Sequence, residues 1–305
     1  MNSICDVPGI RVGHAQNEAA KTGCTVVLCK EGAVGGVDLR GSAPGTRETE
    51  LLRPGFLVQK IHAVVLAGGS AFGLDTAGGV QKFLEERNKG YDARGICVPI
   101  VPAAVIFDLA NGDPKIKPDT EMGYQACRNA REDEDRMGPI GVGTGATVGK
   151  ILGMDFAMDS GMGMASEDLG GGIVVGALVV VNALGDVINP ETGQIVAGAR
   201  NPAGEGFLNT VAFMKQQLFE SPLPQENTTL AVVATNVQFS KEEINKVAQM
   251  AQNGIGRTIR PAHTMYDGDL VFALSYGKKT SDVNLIGEVA AELVAKAIVQ
   301  AVRNR

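Results

Sequence analysis

Apolar positions in this chain form two patterns, continuous β-branched runs and stripes at helical spacing, which alternate along its length. Val64-Val65-Leu66 is a short apolar run that stops at Gly68-Gly69, and a helix-compatible stretch follows from Leu74 to Arg87. The run from Ile173 to Val181 is nearly unbroken, as expected of a strand buried on both faces. Thr229 to Ala234 predicts another strand. Beyond it Ser240 and Glu243 form a capping box, and Ile244, Val247, Ala248 and Ala251 define one helix face. Gly254 reads as the end of that helix. A last helix is predicted from Ser281 or Asp282, with Ile286, Val289, Leu293 and Ile298 along its apolar stripe.

Two polar stretches interrupt these elements. Asp113 to Met137 reads as a surface excursion, and Glu220 to Asn227, with Pro222 and Pro224, as an exposed linker. No internal repeat is present. Strands mixed with helices indicate a layered α/β or α+β fold, and the pattern alone does not choose between them. At 305 residues the chain is long enough for one large domain or two ordinary ones.

Composition narrows the function classes. With 44% hydrophobic and 20% charged residues, the chain reads as globular. No apolar run is long enough to cross a bilayer, and the opening residues lack a basic patch followed by an apolar core, so a cytoplasmic protein with no membrane partner is expected. The five cysteines include no CxxC pair and are expected to be reduced thiols. His14, His62 and His263 are scattered, with no H-E-x-x-H pattern, so neither a metal site nor a cofactor is expected. A net charge of −6 without a basic cluster argues against nucleic acid as a partner. The 40 glycines are about twice the ordinary ~7% usage and point to tight turns and close backbone approaches.

Several local motifs fail on inspection. Gly68-Gly69-Ser70-Ala71-Phe72 lies between a strand and a helix like a hydrolase nucleophile elbow, but Phe72 stands where G-x-S-x-G needs glycine. Ser70 is better read as a cap of the following helix. Gly141-Val142-Gly143-Thr144-Gly145-Ala146 fits a loose dinucleotide fingerprint without a clear preceding strand. Gly149-Lys150 is followed by Ile151, which lacks the hydroxyl a phosphate loop would present to magnesium. What remains is Lys150, directly after a glycine-rich run.

Asn227-Thr228-Thr229-Leu230 is, taken alone, a β-branched entry into a strand. In context it resembles the processing site of the peptidase family that includes the L-aminopeptidase/D-Ala-esterase, the β-peptidyl aminopeptidases and the nylon-oligomer (6-aminohexanoate oligomer) hydrolases. The resemblance runs in order through nearly the whole chain: Asp6 to His14, Thr22 to Val26, Gly68 to Leu74, Gly143 to Lys150, Asn182 to Val187, and Asp267-Gly268-Asp269. It implies a four-layer αββα sandwich of the N-terminal-nucleophile-hydrolase type, one domain over residues 1–305. It further implies autocatalytic cleavage between Asn227 and Thr228 into a 1–227 chain and a 228–305 chain. Members form homo-oligomers, often tetramers, and act on small peptides or amides.

By the same resemblance Thr228 is the nucleophile, Lys150 and Asn182 flank it as orienting groups and oxyanion donors, and Asp267 and Asp269 lie next to the new amino terminus. The chemistry suits these residue types. A threonine hydroxyl needs a base, and once the preceding bond is cut its own α-amine, with an unperturbed pKa near ~8, can serve. Each residue also has an ordinary structural reading: Lys150 as a solvated loop lysine, Asn182 as a turn residue, Asp267-Gly268 as a turn dipeptide. The chain departs from the aminopeptidases, which have Ser and Glu where Asp267 and Asp269 stand, and so sides with the nylon-oligomer hydrolases. Some members use a tyrosine near the position of Phe107, which lacks the phenol. Two other readings stand beside the leading one: an uncleaved single chain that binds a small ligand or partner, and a serine hydrolase using Ser70.

Overall fold

Strict two-residue alternation along the strands sorts their side chains into separate cores, and that sorting builds the layers. The computed structural model describes residues 2–216 and 227–304, so the predicted linker, Asn227 apart, lies outside the described residues. The principal strands are β1 (Ile10–Asn17), β2 (Thr22–Leu39), β3 (Lys60–Ala67), β4 (Ala103–Val105), β5 (Met162–Asp168), β6 (Val174–Asn182), β7 (Thr228–Val237) and β8 (Leu270–Lys279). The helices are α1 (Thr76–Glu85), α2 (Thr120–Arg128), α3 (Thr210–Gln216), α4 (Lys241–Thr258) and α5 (Val283–Arg303). The strands belong to one sheet in the order β5-β6-β7-β8-β2-β3-β4, with β1 on β2 and the short Thr46–Arg47 at the β4 edge.

One sheet makes two layers because β2 serves both. Its first part pairs with β1 and β3, and its last residues, Val34 to Leu39, pair with β8. The β2–β3 register slips between Leu28 and Ala33, a bulge that bends the strand. Folded on itself, the sheet faces inward with Val27, Leu66 and Ile106 from one half and Leu178, Val180, Leu230, Val232 and Phe272 from the other. The outward residues of β6 to β8, including Val179, Val181, Val233 and Val271, pack against α4 and α5. Those of β2 to β4, including Val26, Val65 and Val105, pack against α1 and α2. The result is the αββα sandwich.

The predicted strands and helices are present with shifted bounds. The Leu74–Arg87 pattern divides into a 3-10 turn, Ser70–Asp75, and α1. The polar segment from Asp113 contains α2, capped by the Asp119 side chain on Met122 N–H and burying Ala126 and Cys127. Ser240 and Glu243 form the capping box of α4. Gly254 does not end α4, which continues to Thr258. A Cβ at Gly254 would come 2.3 Å from the Ala291 carbonyl oxygen of α5, so the glycine is there for helix–helix approach. All five cysteines are free thiols. Among the described residues no helix is long and apolar enough to cross a membrane.

Gly254 and Gly256 therefore respond oppositely to alanine. Propensity alone favours alanine by about 1 kcal/mol at either position. At Gly256 nothing lies within 4 Å of the added methyl, and Gly256→Ala should raise stability by up to that amount. At Gly254 overpacking costs about 1–3 kcal/mol, and Gly254→Ala should lower it. Urea unfolding of full-length chains in a Thr228→Ala background measures both.

Candidate active site

Strand direction brings the predicted residues together. β7 and β8 are parallel, with Leu230 level with Leu270, so the residues entering each strand lie at the same end of the sheet. β6 is antiparallel to β7, so its last residue, Asn182, pairs directly with the first of β7, Thr228. A parallel bridge between Asn227 and Asp267 continues the β7–β8 register outward beyond the start of both strands. Thr228, Asn182, Asp267 and Asp269 are all buried there.

The Thr228 hydroxyl donates to the Asn227 carbonyl oxygen across 2.6 Å, so it sits on the peptide group expected to break. That carbonyl also accepts from Gly268 N–H at 2.8 Å, while Asn227 N–H donates to Tyr266 O at 3.2 Å. Asp269 accepts from Thr229 N–H at 2.7 Å through Oδ1. Its Oδ2 accepts from His263 N–H and lies 3.0 Å from His263 Nδ1. Asp267 Oδ2 accepts from the Thr264 N–H, 2.8 Å, and hydroxyl, 2.6 Å. Burial, reinforced by the charge of Asp269, pushes the Asp267 carboxyl up to about 6 against the opposing pull of Thr264 and Lys150.

Lys150 and Asn182 form one unit. The Lys150 ammonium, buried, donates to Asn182 Oδ1 at 2.8 Å and to the Asn182 backbone oxygen at 3.0 Å. Asn182 Oδ1 also accepts from Thr147 N–H, and its Nδ2 donates to the Phe107 carbonyl at 2.9 Å. Both side chains thus reach the end of the sheet beside Thr228, with these hydrogen bonds fixing the amide's orientation. Lys150 is not the solvated lysine of the ordinary reading. Next to it Asp108 accepts from the Thr22 hydroxyl and from Gly69 N–H, both at 2.7 Å. Burial raises the Asp108 carboxyl above the usual range, and these bonds and the Lys150 charge oppose the rise.

A cavity of about 60 Å³ lined by Phe107, Asp108, Thr147 and Lys150 adjoins the site. A larger open cleft of about 470 Å³ shares Asn111, Thr147 and Met154 with it and continues to Asp159 and Arg200. Such a cleft can admit an extended polar chain toward Lys150. Among the described residues no cluster of His, Cys, Asp and Glu is arranged to hold a metal ion.

Ser70 does not sit as a side-chain cap. It opens the 3-10 turn with φ 54°, the cap position falls on Gly69, and there is no side-chain cap hydrogen bond. Among the described residues no histidine is hydrogen-bonded to its hydroxyl, so the serine-hydrolase reading lacks its base. Sequence reasoning missed His263, Thr264 and Asp108 as neighbours of the site. It met Gly268 only as half of a turn dipeptide. Asp267-Gly268-Asp269 carried the one signal for that position, a glycine fixed between two site carboxylates.

The raised Asp267 carboxyl gives a pH signature. Because its folded pKa of about 6 lies above the unfolded value near ~4, the stability tied to the neutral form is full below ~4 and is lost as pH rises through 6. Asp267→Asn escapes that loss. Thermal melting in the Thr228→Ala background should show the variant gaining on its parent from pH 4 to about 7, with a constant gap above. A gap independent of pH would contradict this.

The model of peptidase family S58 matches residues 2–304. An uncharacterized aminopeptidase of Mycobacterium leprae is 42% identical, covering 99% of this chain and 90% of its own. A 6-aminohexanoate-oligomer endohydrolase of Kocuria sp. is 33% identical, covering 98% and 85%. Among solved structures, the L-aminopeptidase D-Ala-esterase/amidase of Ochrobactrum anthropi, described as a variant of the Ntn hydrolase fold, superposes with TM-score 0.72 at 19% identity over 98% of this chain and 85% of that one. A Burkholderia sp. beta-aminopeptidase gives 0.70 at 21%, covering 98% and 86%. The fold is that of these Ntn-type hydrolases, and the chain belongs to peptidase family S58.

Proposed function

We propose that this protein is a self-processing amide hydrolase that cuts its own Asn227–Thr228 bond and then uses Thr228 as an N-terminal nucleophile on small peptides or amide oligomers. The observation that carries the reading is the Thr228 hydroxyl 2.6 Å from the carbonyl oxygen of Asn227, at the start of a buried central strand. In maturation Thr228 Oγ1 bonds to the Asn227 carbonyl carbon and the carbon–nitrogen bond breaks. The hydroxyl proton ends on the departing Thr228 nitrogen. Water then hydrolyses the resulting ester, leaving Asn227 as a carboxylate and restoring the Thr228 hydroxyl. In turnover the freed α-amine takes the hydroxyl proton as Oγ1 attacks the substrate carbonyl, and passes it to the leaving amine.

The other residues take roles around this chemistry. Asp269, bonded to the next backbone N–H, and Asp267 hold the new ammonium near the sheet end. Asp267, with its carboxyl near 6, is the group able to take up and return a proton around neutral pH. Lys150 stabilises developing negative charge and fixes Asn182. The same reading makes the protein a cytoplasmic homo-oligomer, a tetramer, in which the exposed Leu57, Ile96 and Met265 are candidates for contact between copies. Light scattering of the purified protein reads the assembly size.

Wild-type protein should separate into two chains, the smaller beginning with Thr228 by N-terminal sequencing. Thr228→Ala should remain one chain and hydrolyse no amino-acid p-nitroanilide or amide oligomer. A wild-type chain that stays whole at neutral pH yet binds such compounds would favour the single-chain ligand-binding reading instead. Asn182→Ala and Lys150→Ala should keep the fold and lose activity by roughly 10²-fold or more. Ser70→Ala should retain most of it.

A further inference from the structure

The carbonyl of Asn227 has a second partner besides the Thr228 hydroxyl: Gly268 N–H, at 2.8 Å. A donor already on a carbonyl oxygen strengthens its hold as that oxygen becomes negative, provided the donor is fixed before reaction. Gly268 meets that condition. The carbonyl of Asp267, on one side of it, accepts from Ala43 N–H at 2.9 Å. The carbonyl of Asp269, on the other, accepts from Arg40 and Gly41 N–H at 3.0 and 3.1 Å. The Asp269 carboxylate is tied to Thr229 N–H. The peptide that carries the donor is thus held on both sides, inside a water-poor sheet end where such a hydrogen bond is worth most.

The residue type adds an independent observation. A Cβ at position 268 would come within 2.8 Å of both Thr228 Oγ1 and the Ala43 carbonyl oxygen. Its φ is not in the left-handed region, so backbone conformation does not require a glycine here. Space for the nucleophile does. The same residue offers a donor to the scissile carbonyl and leaves room for the hydroxyl that attacks it.

We propose that the backbone N–H of Gly268 is the oxyanion donor of self-cleavage, a role that rests on reading Asn227–Thr228 as the bond that is cut. As Thr228 Oγ1 bonds to the Asn227 carbonyl carbon, the π pair moves onto the oxygen facing Gly268 N–H. When the carbonyl re-forms, the bond to the Thr228 nitrogen breaks and that nitrogen leaves with the hydroxyl proton. Asn182 is a different kind of donor. Its Nδ2 is directed to the Phe107 carbonyl.

Replacing the 267–268 amide by an ester, with glycolic acid incorporated at position 268 of the full chain, removes the N–H and adds no atom. Cleavage should slow by 10²–10³-fold relative to wild type, the scale of losing one oxyanion donor. An ester introduced at Tyr266, whose N–H bonds the Thr264 hydroxyl, controls for loss of one hydrogen bond in the same loop and should mature within a few-fold of wild type. Melting of both ester chains in the Thr228→Ala background checks the fold. Equal slowing in the two esters, or a Gly268 ester that cleaves at the wild-type rate, would overturn the proposal. Wild type run alongside separates the failures: if wild type itself stays uncut, it is the assignment of the scissile bond that falls.

Discussion

Thr228 is the first residue of a strand flanked on both sides, by antiparallel β6 and parallel β8, and the arrangement of the site depends on that double pairing. Ladder hydrogen bonds on two edges and apolar layers on two faces fix the strand independently of the peptide bond that precedes it. In the proposed processing the cut before Thr228 would not release the strand, because its own buried side chains, from Leu230 onward, follow the cut and stay packed in both cores. An edge strand would fray at such a break. A central one would keep a new terminus in place, which the proposed use of the Thr228 amine as base on its own hydroxyl requires.

The parallel member of that pairing has a further consequence. Parallel neighbours need a crossover, and α4 supplies it between β7 and β8 while covering their outer face. The approach to β8 must then return to the end at which β7 begins. The residues just before β8, from His263 to Asp269, arrive beside Asn227 and Thr228 because the topology leads them there. Antiparallel β6 finishes at the same end, so Asn182 and its partner Lys150 approach from the opposite side. Two segments distant in sequence converge on one peptide bond through strand direction alone.

Strand direction is also where sequence reading stops. Apolar runs showed β6 and β7, the Ser240–Glu243 box showed the start of α4, and the Ser281-Asp282 pair showed that of α5, capped by Asp282, since each signal is local. The ordered motifs pointed to the fold and to the main residues at the sheet end. What escaped depends on contacts between distant backbones. Gly254 has the look of a helix stop, yet it is a notch for the Ala291 carbonyl, and only the neighbouring helix distinguishes the two. The polar segment around Asp119 hid α2, whose buried face is too short to dominate its charged surroundings. Gly268 looked like a turn residue because its use lies in the space left for Thr228 Oγ1, forty residues away in the chain.

The two carboxylates illustrate how environment divides alike groups. They are one residue apart and both buried, yet their oxygens face different donors. Asp269 accepts from two backbone N–H groups of separate segments and also contacts His263 Nδ1, so it ties the β7 entry to the loop before β8. Among the described residues Asp267 takes its donors from Thr264 alone, on one oxygen. Burial and the neighbouring charge raise its carboxyl to about 6 despite those donors. With fewer donors to hold its charge, Asp267 is where a proton is least costly. In the proposed mechanism Asp269 therefore holds geometry and Asp267 exchanges a proton. The identical residue type at both positions conceals different surroundings, set by which donors each side chain meets.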